Sequence, residues 1–311
     1  LKTVKGMRAG FWRRFEQTGQ PRRVVLKGNL GKNMHILVTN DDGVTAPGVM
    51  ALAQAMRSLG KVSILAPDRN WSGAGHVKTL DRPLRIKEVT LADGSSALAS
   101  DGAPSDCVAL ALLGFLPEKV DLVVSGINPM ANLGHDVTYS GTVTAAMEAV
   151  IWGVPGMAVS LNTDESHLGS LDYGPAAEYA RRIAETILQH HLPAGILLNV
   201  NIPYLPLEQI NGVQITRQGL RVYRDRLDQR VDPRGRAYFW IGGEAPTGIP
   251  ENGSDFGALA QGSVSITPLQ LDLTAYPALH LLSGWKWGEE EITLSTSKEK
   301  AYNKGTITSR R

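Results

Sequence analysis

His35-Ile36-Leu37-Val38-Thr39-Asn40-Asp41-Asp42-Gly43 is a short apolar run that breaks into two adjacent carboxylates and a glycine. Such a run, followed by a helical pattern, is what a strand buried on both faces of a parallel sheet looks like. In open α/β sheets ligands gather outside the carboxyl ends of the strands, so the pair stands where charged chemistry is expected. Neighbouring side chains of an extended chain point apart, but a turn at Gly43, which is free to take a positive φ, lets Asp41 and Asp42 converge. Two oxygen donors with no cysteine or histidine beside them suit Mg²⁺ or Mn²⁺ better than zinc. The plainer alternative is a turn in which one aspartate caps the following helix. A doubled acid directly after a buried strand favours the metal reading.

Outward from this strand the pattern alternates. Ala46 to Met56 carries proline in its first turn and apolar residues at helical spacing, and it ends before Gly60. Val62 to Ala66 is a short apolar strand closed by Pro67-Asp68, which completes a βαβ start with a right-handed crossover. Strands are predicted at 121–125, 157–161 and 196–201, with helices at 142–152 and 176–188. From Pro203 the chain changes to short β-like pieces, among them 237–241 and 263–267, punctuated by glycine and proline. The fold class expected is α/β: a Rossmann-like wound, mostly parallel sheet with a β-rich carboxy-terminal extension. The expected domains are a catalytic core at 34–202, an extension and oligomerisation region at 203–288, and a flexible tail or exchanged arm at 289–311.

Of 311 residues, 42% are hydrophobic and 20% charged, an ordinary composition for a folded soluble chain. The one cysteine, Cys107, rules out an intrachain disulfide and a cysteine zinc cluster, in keeping with a cytoplasmic location. No run approaches the roughly 18–20 apolar residues of a membrane span. The net charge of +2 hides an asymmetry: residues 1–33 hold nine basic residues against Glu16, a net +8, so the remainder carries −6. A basic arm can bind nucleic acid, and removing it and measuring salt-dependent DNA binding tests that reading. The segment lacks periodicity and stops at Met34, directly before the first strand. It is therefore expected to be a non-native or disordered leader, with Met34 the biological start and no nucleic acid or membrane as partner.

Three further segments are able to join the aspartate pair. Asp68-Arg69-Asn70-Trp71-Ser72-Gly73-Ala74-Gly75-His76 follows the second strand and is rich in groups that ligate a hard cation or cradle an oxyanion. Ser125-Gly126-Ile127-Asn128 ends another strand in a neutral carboxamide. Tyr139-Ser140-Gly141-Thr142-Val143 opens a helix, whose unblocked N-terminus would offer free N–H donors to a phosphate. Each has a plainer alternative: Asn70, Ser72, Ser140 and Thr142 also serve as turn or helix caps. His76 and His135 tempt as general bases, but neither shows a carboxylate partner in the sequence. Arg69 and Lys78 read by default as solvated surface charge. Two rivals fail on spacing. A two-component receiver would place its phosphoacceptor aspartate where Ser125 stands, and an aspartyl-phosphate phosphatase needs its acids two apart, not adjacent.

Taken in order, these motifs resemble the SurE survival-protein nucleotidases. The likeness runs from Met34 through Asn40-Asp41-Asp42-Gly43, Ala66-Pro67-Asp68-Arg69-Asn70 with Ser72-Gly73, Asp101-Gly102, Asp106-Cys107-Val108 and Ser125-Gly126-Ile127-Asn128. It continues through Asn132-Leu133-Gly134, Tyr139 to Val143, Asp232-Pro233-Arg234-Gly235 and Val264 to Leu269. The resemblance implies that Asp41, Asp42, Ser72 and Asn128 ligate one divalent cation, Mg²⁺ or Mn²⁺. It also implies a homodimer or homotetramer and an exchanged carboxy-terminal arm. Met130, Val77-Lys78 and Ala149 depart from the usual pattern without touching those ligands.

The expected activity is a 5′-nucleotidase: a metal-dependent phosphomonoesterase that hydrolyses nucleoside 5′-monophosphates by metal-activated water, with 3′-monophosphates and polyphosphate as further candidate substrates. Asp41 and Asp42 are the catalytic candidates, Asp41 being the expected proton acceptor. Asn128, Ser140, Gly141 and Thr142 are the candidate phosphate contacts. The alternative is a non-catalytic nucleotide or phosphate sensor on the same fold.

Overall fold

The computed structural model describes residues 34–164 and 166–288. The basic leader at 1–33 and the tail or arm at 289–311 lie outside the described residues. Strand β1 (His35–Thr39) runs parallel between β2 (Lys61–Pro67) and β5 (Leu122–Asn128). β6 (Gly156–Asn162) and β7 (Ile196–Pro203) continue in parallel beyond β5. Outside β2 lie β4 (Ser96–Ser100), parallel to it, and β3 (Ile86–Thr90), antiparallel to β4. β11 (Val264–Gln270) neighbours β7, and β8 (Val213–Ile215) pairs in parallel with β11 at the edge. Among the described residues the sheet thus has nine strands, mostly parallel, and β9 (Arg221–Val231) with β10 (Ala237–Gly248) forms a separate antiparallel ribbon.

Two of the expected features change. Strands β3 and β4 were absent from the sequence reading, and β8 and β11, expected in an appended region, belong to the main sheet. The chain returns to the edge of β7 because that edge would otherwise leave a row of backbone donors and acceptors unpaired. Only the ribbon stands apart as β-rich structure.

Alternation along β1 divides the core. Ile36 and Val38 pack with Val49, Leu52 and Met56 of helix α1 (Pro47–Met56) and with Ala180, Ile183 and Ile187 of α4 (Gly174–His190). Leu37 faces the other way, against Cys107 and Val108 of α2 (Pro104–Leu110) and Ala145 and Ala149 of α3 (Gly141–Ile151). All three β1 side chains are fully buried, each contributing about 1.5–3 kcal/mol of hydrophobic stabilisation. Helix α5 (Asp255–Ala260) is tied in by Asp255, whose buried carboxylate accepts from the backbone N–H groups of Gly134 at 2.8 Å and Gly219 at 2.7 Å. Residues from 270 onward form a second unit; within its described part, helix α6 (Tyr276–Ser283) is followed by stacked Trp285 and Trp287 rings 5.6 Å apart. Among the described residues no helix is long and apolar enough to cross a membrane.

Helix α1 comes close to the sheet at Gly48, where a Cβ would lie 2.1 Å from the Ile127 carbonyl oxygen. Gly48→Ala must push α1 away from the end of β5. It is expected to cost about 1–3 kcal/mol and lower the midpoint of thermal unfolding measured by circular dichroism. An unchanged midpoint would show that the helix approaches less closely.

Candidate active site

The exits of β1 and β2 are laced together. The Val44 N–H donates to the Pro67 carbonyl at 2.8 Å, and the Trp71 N–H donates to the Asp41 carbonyl at 2.7 Å. Gly43 adopts φ of +110°, the conformation the turn after the acid pair demanded. Buried Asn40 braces that turn through its amide, which donates to the Gly43 carbonyl at 3.0 Å. On the far side of β1, β5 runs in register from Ile36↔Leu122 to Thr39↔Ser125, so Asn128 emerges beside the aspartates. The adjacent carboxyl ends of β2, β1 and β5 therefore carry Ser72, Asp41 with Asp42, and Asn128.

Helix α3 supplies what β1 lacks. A Cβ on Gly141 would lie 2.6 Å from the Asp41 Cβ, so the helix start sits directly on that side chain. The Thr142 hydroxyl donates to Asp41 Oδ1 at 2.5 Å, across 101 residues of sequence. Burial raises the Asp41 pKa above the ordinary carboxylate value, while the Thr142 hydroxyl and the helix-start amides oppose it. Asp42 has no such donors among the described residues: burial, and then the neighbouring Asp41 charge, push it up to about 7. Tyr173 stands nearby, with its phenol pushed up to about 12 by burial and then by the Asp42 charge.

The expected phosphate seat is modified by this packing. The Ser140 hydroxyl accepts from the Val143 N–H at 3.1 Å as an ordinary helix cap, and Thr142 is turned onto Asp41. The α3 terminus is consequently not unblocked, because a buried carboxylate already uses part of its donor set. Asn70 is also a cap, its carboxamide oxygen accepting the Ser72 N–H at 2.6 Å. That turn leaves the exposed Ser72 side chain at the rim. No hydrogen bond among the described residues joins Ser72 or Asn128 to the aspartates.

Two dismissed residues acquire partners. His76 Nε2 lies 2.9 Å from Glu148 Oε2, and Lys78 Nζ donates to Glu148 Oε1 at 2.6 Å. His135 remains exposed on a short 3₁₀ turn over Gly134–Thr138. Arg69 lies over the Trp71 ring at 5.5 Å and donates to the Asp101 carbonyl at 3.1 Å. Glu148 and Tyr173 were missed by the sequence reading. For Glu148 a signal existed: it is the one charged residue of Gly141–Ile151, in a helix otherwise apolar or hydroxylic.

A divalent cation fits these residues. Asp41 and Asp42 are adjacent, desolvated and, among the described residues, paired with no lysine, arginine or histidine, so their charge is uncompensated. The Asn128 amide nitrogen donates to the Met130 carbonyl at 2.5 Å, which leaves the carboxamide oxygen as the end able to ligate. No group of three or more His, Cys, Asp or Glu side chains able to hold a metal occurs among the described residues, and beside the two carboxylates the neutral oxygens of Ser72 and Asn128 are candidate donors. An all-oxygen set of this kind suits a hard cation.

Comparison with known proteins bears on the whole constellation. The family profile described as "Survival protein SurE" matches residues 36–225, more than half of the chain and including every residue named at the site. The chain belongs to the SurE family. A SurE relative named "5'-nucleotidase SurE", from Herpetosiphon aurantiacus, is 55% identical over 254 residues, covering 82% of this chain and 99% of its own length. A second, of the same name from Chloroflexus aggregans, is 51% identical, covering 82% and 100%. The crystal structure of the SurE protein from Aquifex aeolicus superposes with a TM-score of 0.68 at 40% identity, covering 80% of this chain and 98% of that one.

Proposed function

We propose that this SurE chain is a 5′-nucleotidase, a metal-dependent phosphomonoesterase that converts nucleoside 5′-monophosphates and water to nucleoside and phosphate. The observation that carries the reading is the uncompensated Asp41–Asp42 pair gripped by the start of α3, in a chain about half identical to relatives named 5′-nucleotidase over four-fifths of its length. Asp41, Asp42, Ser72 and Asn128 would hold one Mg²⁺ or Mn²⁺. When bound, such an ion supplies a lowered pKa for water and neutralises non-bridging phosphate oxygens, worth several kcal/mol at the transition state.

The protein's own groups divide the remaining work. Thr142 and the helix-start amides donate to the Asp41 carboxylate, fixing its orientation and opposing the upward push that burial gives its pKa. Asp42 accepts no hydrogen bond among the described residues, so a carboxylate oxygen of Asp42, rather than of Asp41, is the better acceptor for the proton of the attacking water. The new bond forms between water oxygen and phosphorus, the phosphorus–ester oxygen bond breaks, and the leaving nucleoside oxygen takes up a proton. Asn128 and the remaining donors around Ser140, Gly141 and Thr142 orient the phosphate. We assign the oligomer contacts of a dimer or tetramer to residues after 203; the exposed Leu227, Val231, Phe239, Trp240 and Ile241 of the β9–β10 ribbon support this.

The test is phosphate release from a panel of nucleoside 5′- and 3′-monophosphates, with chelator and with added Mn²⁺ or Mg²⁺. Release from 5′-monophosphates is expected with metal and background with chelator. No metal-dependent release from any of these substrates would defeat the reading.

A further inference from the structure

Outside the ligand set, Glu148 is a buried acid of α3, 2% exposed, with both carboxylate oxygens engaged. Its carboxylate accepts from Lys78 Nζ at 2.6 Å and Trp152 Nε1 at 2.8 Å, and lies 2.9 Å from His76 Nε2. Burial alone would raise its pKa, but the bonds from His76, Lys78 and Trp152 outweigh that and hold it down at about 2. Lys78 also lies over the Trp152 ring at 5.8 Å. His76 and Lys78 both belong to the glycine-rich loop that carries Ser72.

The spacing on α3 gives this cluster its meaning. Positions 141, 144 and 148 fall on one face of a helix. Gly141 on that face abuts Asp41. One turn on, the Thr144 hydroxyl, which is 2.9 Å from the Ser140 carbonyl of its own helix, also lies 3.1 Å from the Gly75 carbonyl. Another turn on, Glu148 grips His76 and Lys78. The loop is fastened elsewhere too: the Gly75 N–H donates to the Tyr139 carbonyl at 2.9 Å, the Ser105 hydroxyl donates to the Val77 carbonyl, and the Thr79 N–H donates to Asp106 at 3.0 Å. This face of α3 therefore joins the Trp71 N–H bond to the Asp41 carbonyl in setting the distance between the Asp41 carboxylate and the loop that presents Ser72.

We infer that Glu148 is a positioning residue of the metal site, holding the Ser72 loop in register with Asp41 and Asp42 through His76 and Lys78. The inference rests on the nucleotidase reading above. It assigns a purpose to Lys78: a cation among the partners of a buried anion. Groups that orient metal ligands without touching the metal typically change affinity tenfold to a hundredfold when removed.

The experiment uses the full chain and two readouts: Mn²⁺ binding by titration calorimetry, and the Mn²⁺ concentration for half-maximal phosphate release. Circular dichroism melts report folding. Glu148→Gln is expected to weaken Mn²⁺ binding about tenfold to a hundredfold and to shift the activation curve equally, with a smaller change in kcat at saturating Mn²⁺. His76→Gln and Lys78→Met should move the same way by less, and combining either with Glu148→Gln should add little, as members of one network do. A folded Glu148→Gln with wild-type Mn²⁺ affinity overturns the inference. If that variant does not fold, wild-type affinity in both His76→Gln and Lys78→Met overturns it. A wild-type chain that neither binds Mn²⁺ nor releases phosphate defeats the nucleotidase reading itself, and the inference with it.

Discussion

Asp42→Asn is expected to remove metal-dependent phosphate release by about a thousandfold or more, and at the same time to raise the thermal midpoint of the metal-free protein. The two effects share one cause. A carboxylate that burial and the adjacent Asp41 push up to about 7 is held in the folded state against its own preference for water. Neutralising it with an isosteric amide relieves desolvation and like-charge repulsion, so the apo fold gains. On the proposed mechanism the same change removes one of two anionic donors and the proton acceptor, and about 4 kcal/mol lost from the transition state corresponds to three powers of ten. Adding Mn²⁺ should invert the stability order, because a ligand that binds only the folded state stabilises it by mass action and the wild type binds it better. Differential scanning fluorimetry in chelator and in Mn²⁺, beside the phosphate assay, measures both. A variant less stable than wild type in chelator would show that Asp42 has a stabilising partner after all. Retained metal-activated turnover would remove Asp42 from the site.

Gly141→Ala should lower kcat/KM about a hundredfold with the fold intact. Helix propensity argues the other way, since alanine is favoured over glycine by about 1 kcal/mol inside a helix. What decides is the contact: an added methyl would sit 2.6 Å from the Asp41 Cβ and 2.9 Å from its Oδ2, and it cannot be accommodated without moving either the carboxylate or the helix. Displacing a reacting group by about 1 Å is enough to cost a hundredfold. Gly73→Ala in the Ser72 loop is the useful contrast. Its φ of +77° is unfavourable for alanine, but a Cβ there meets nothing within 4 Å, so its effect reports backbone preference alone. Wild-type kcat/KM in Gly141→Ala would mean that α3 does not set the Asp41 position.

Much of the frame was readable in one dimension because the signals are local. Apolar runs closed by Pro67-Asp68 or Gly126 marked strands, and the helix expected at 142–152 begins and ends within a residue of α3. Strand β4 was not readable because Ser96–Ser100 sets only Leu98 among serine and alanine, with no β-branched residue, and becomes a strand by pairing on both sides, while in the edge strand β3 Lys87 and Glu88 interrupt the apolar run. Membership of β8 and β11 in the main sheet was equally hidden, since strand order across long crossovers leaves no mark on the strands themselves.

The site divides along the same line. The sequence by itself determined which candidate donors stand after three apolar strands, two carboxylates, a hydroxyl and a carboxamide, because a side chain's chemistry and a strand's hydrophobicity are properties of the residues; it was the SurE resemblance that grouped them as one proposed ligand set. Which groups meet was settled only in three dimensions. Thr142 engages Asp41 instead of standing free for phosphate, and His76 and Lys78 find Glu148 from 72 and 70 residues away. Those partners depend on how α3 lies across the sheet, and that placement is fixed by the packing of the whole core, which no local stretch of sequence encodes.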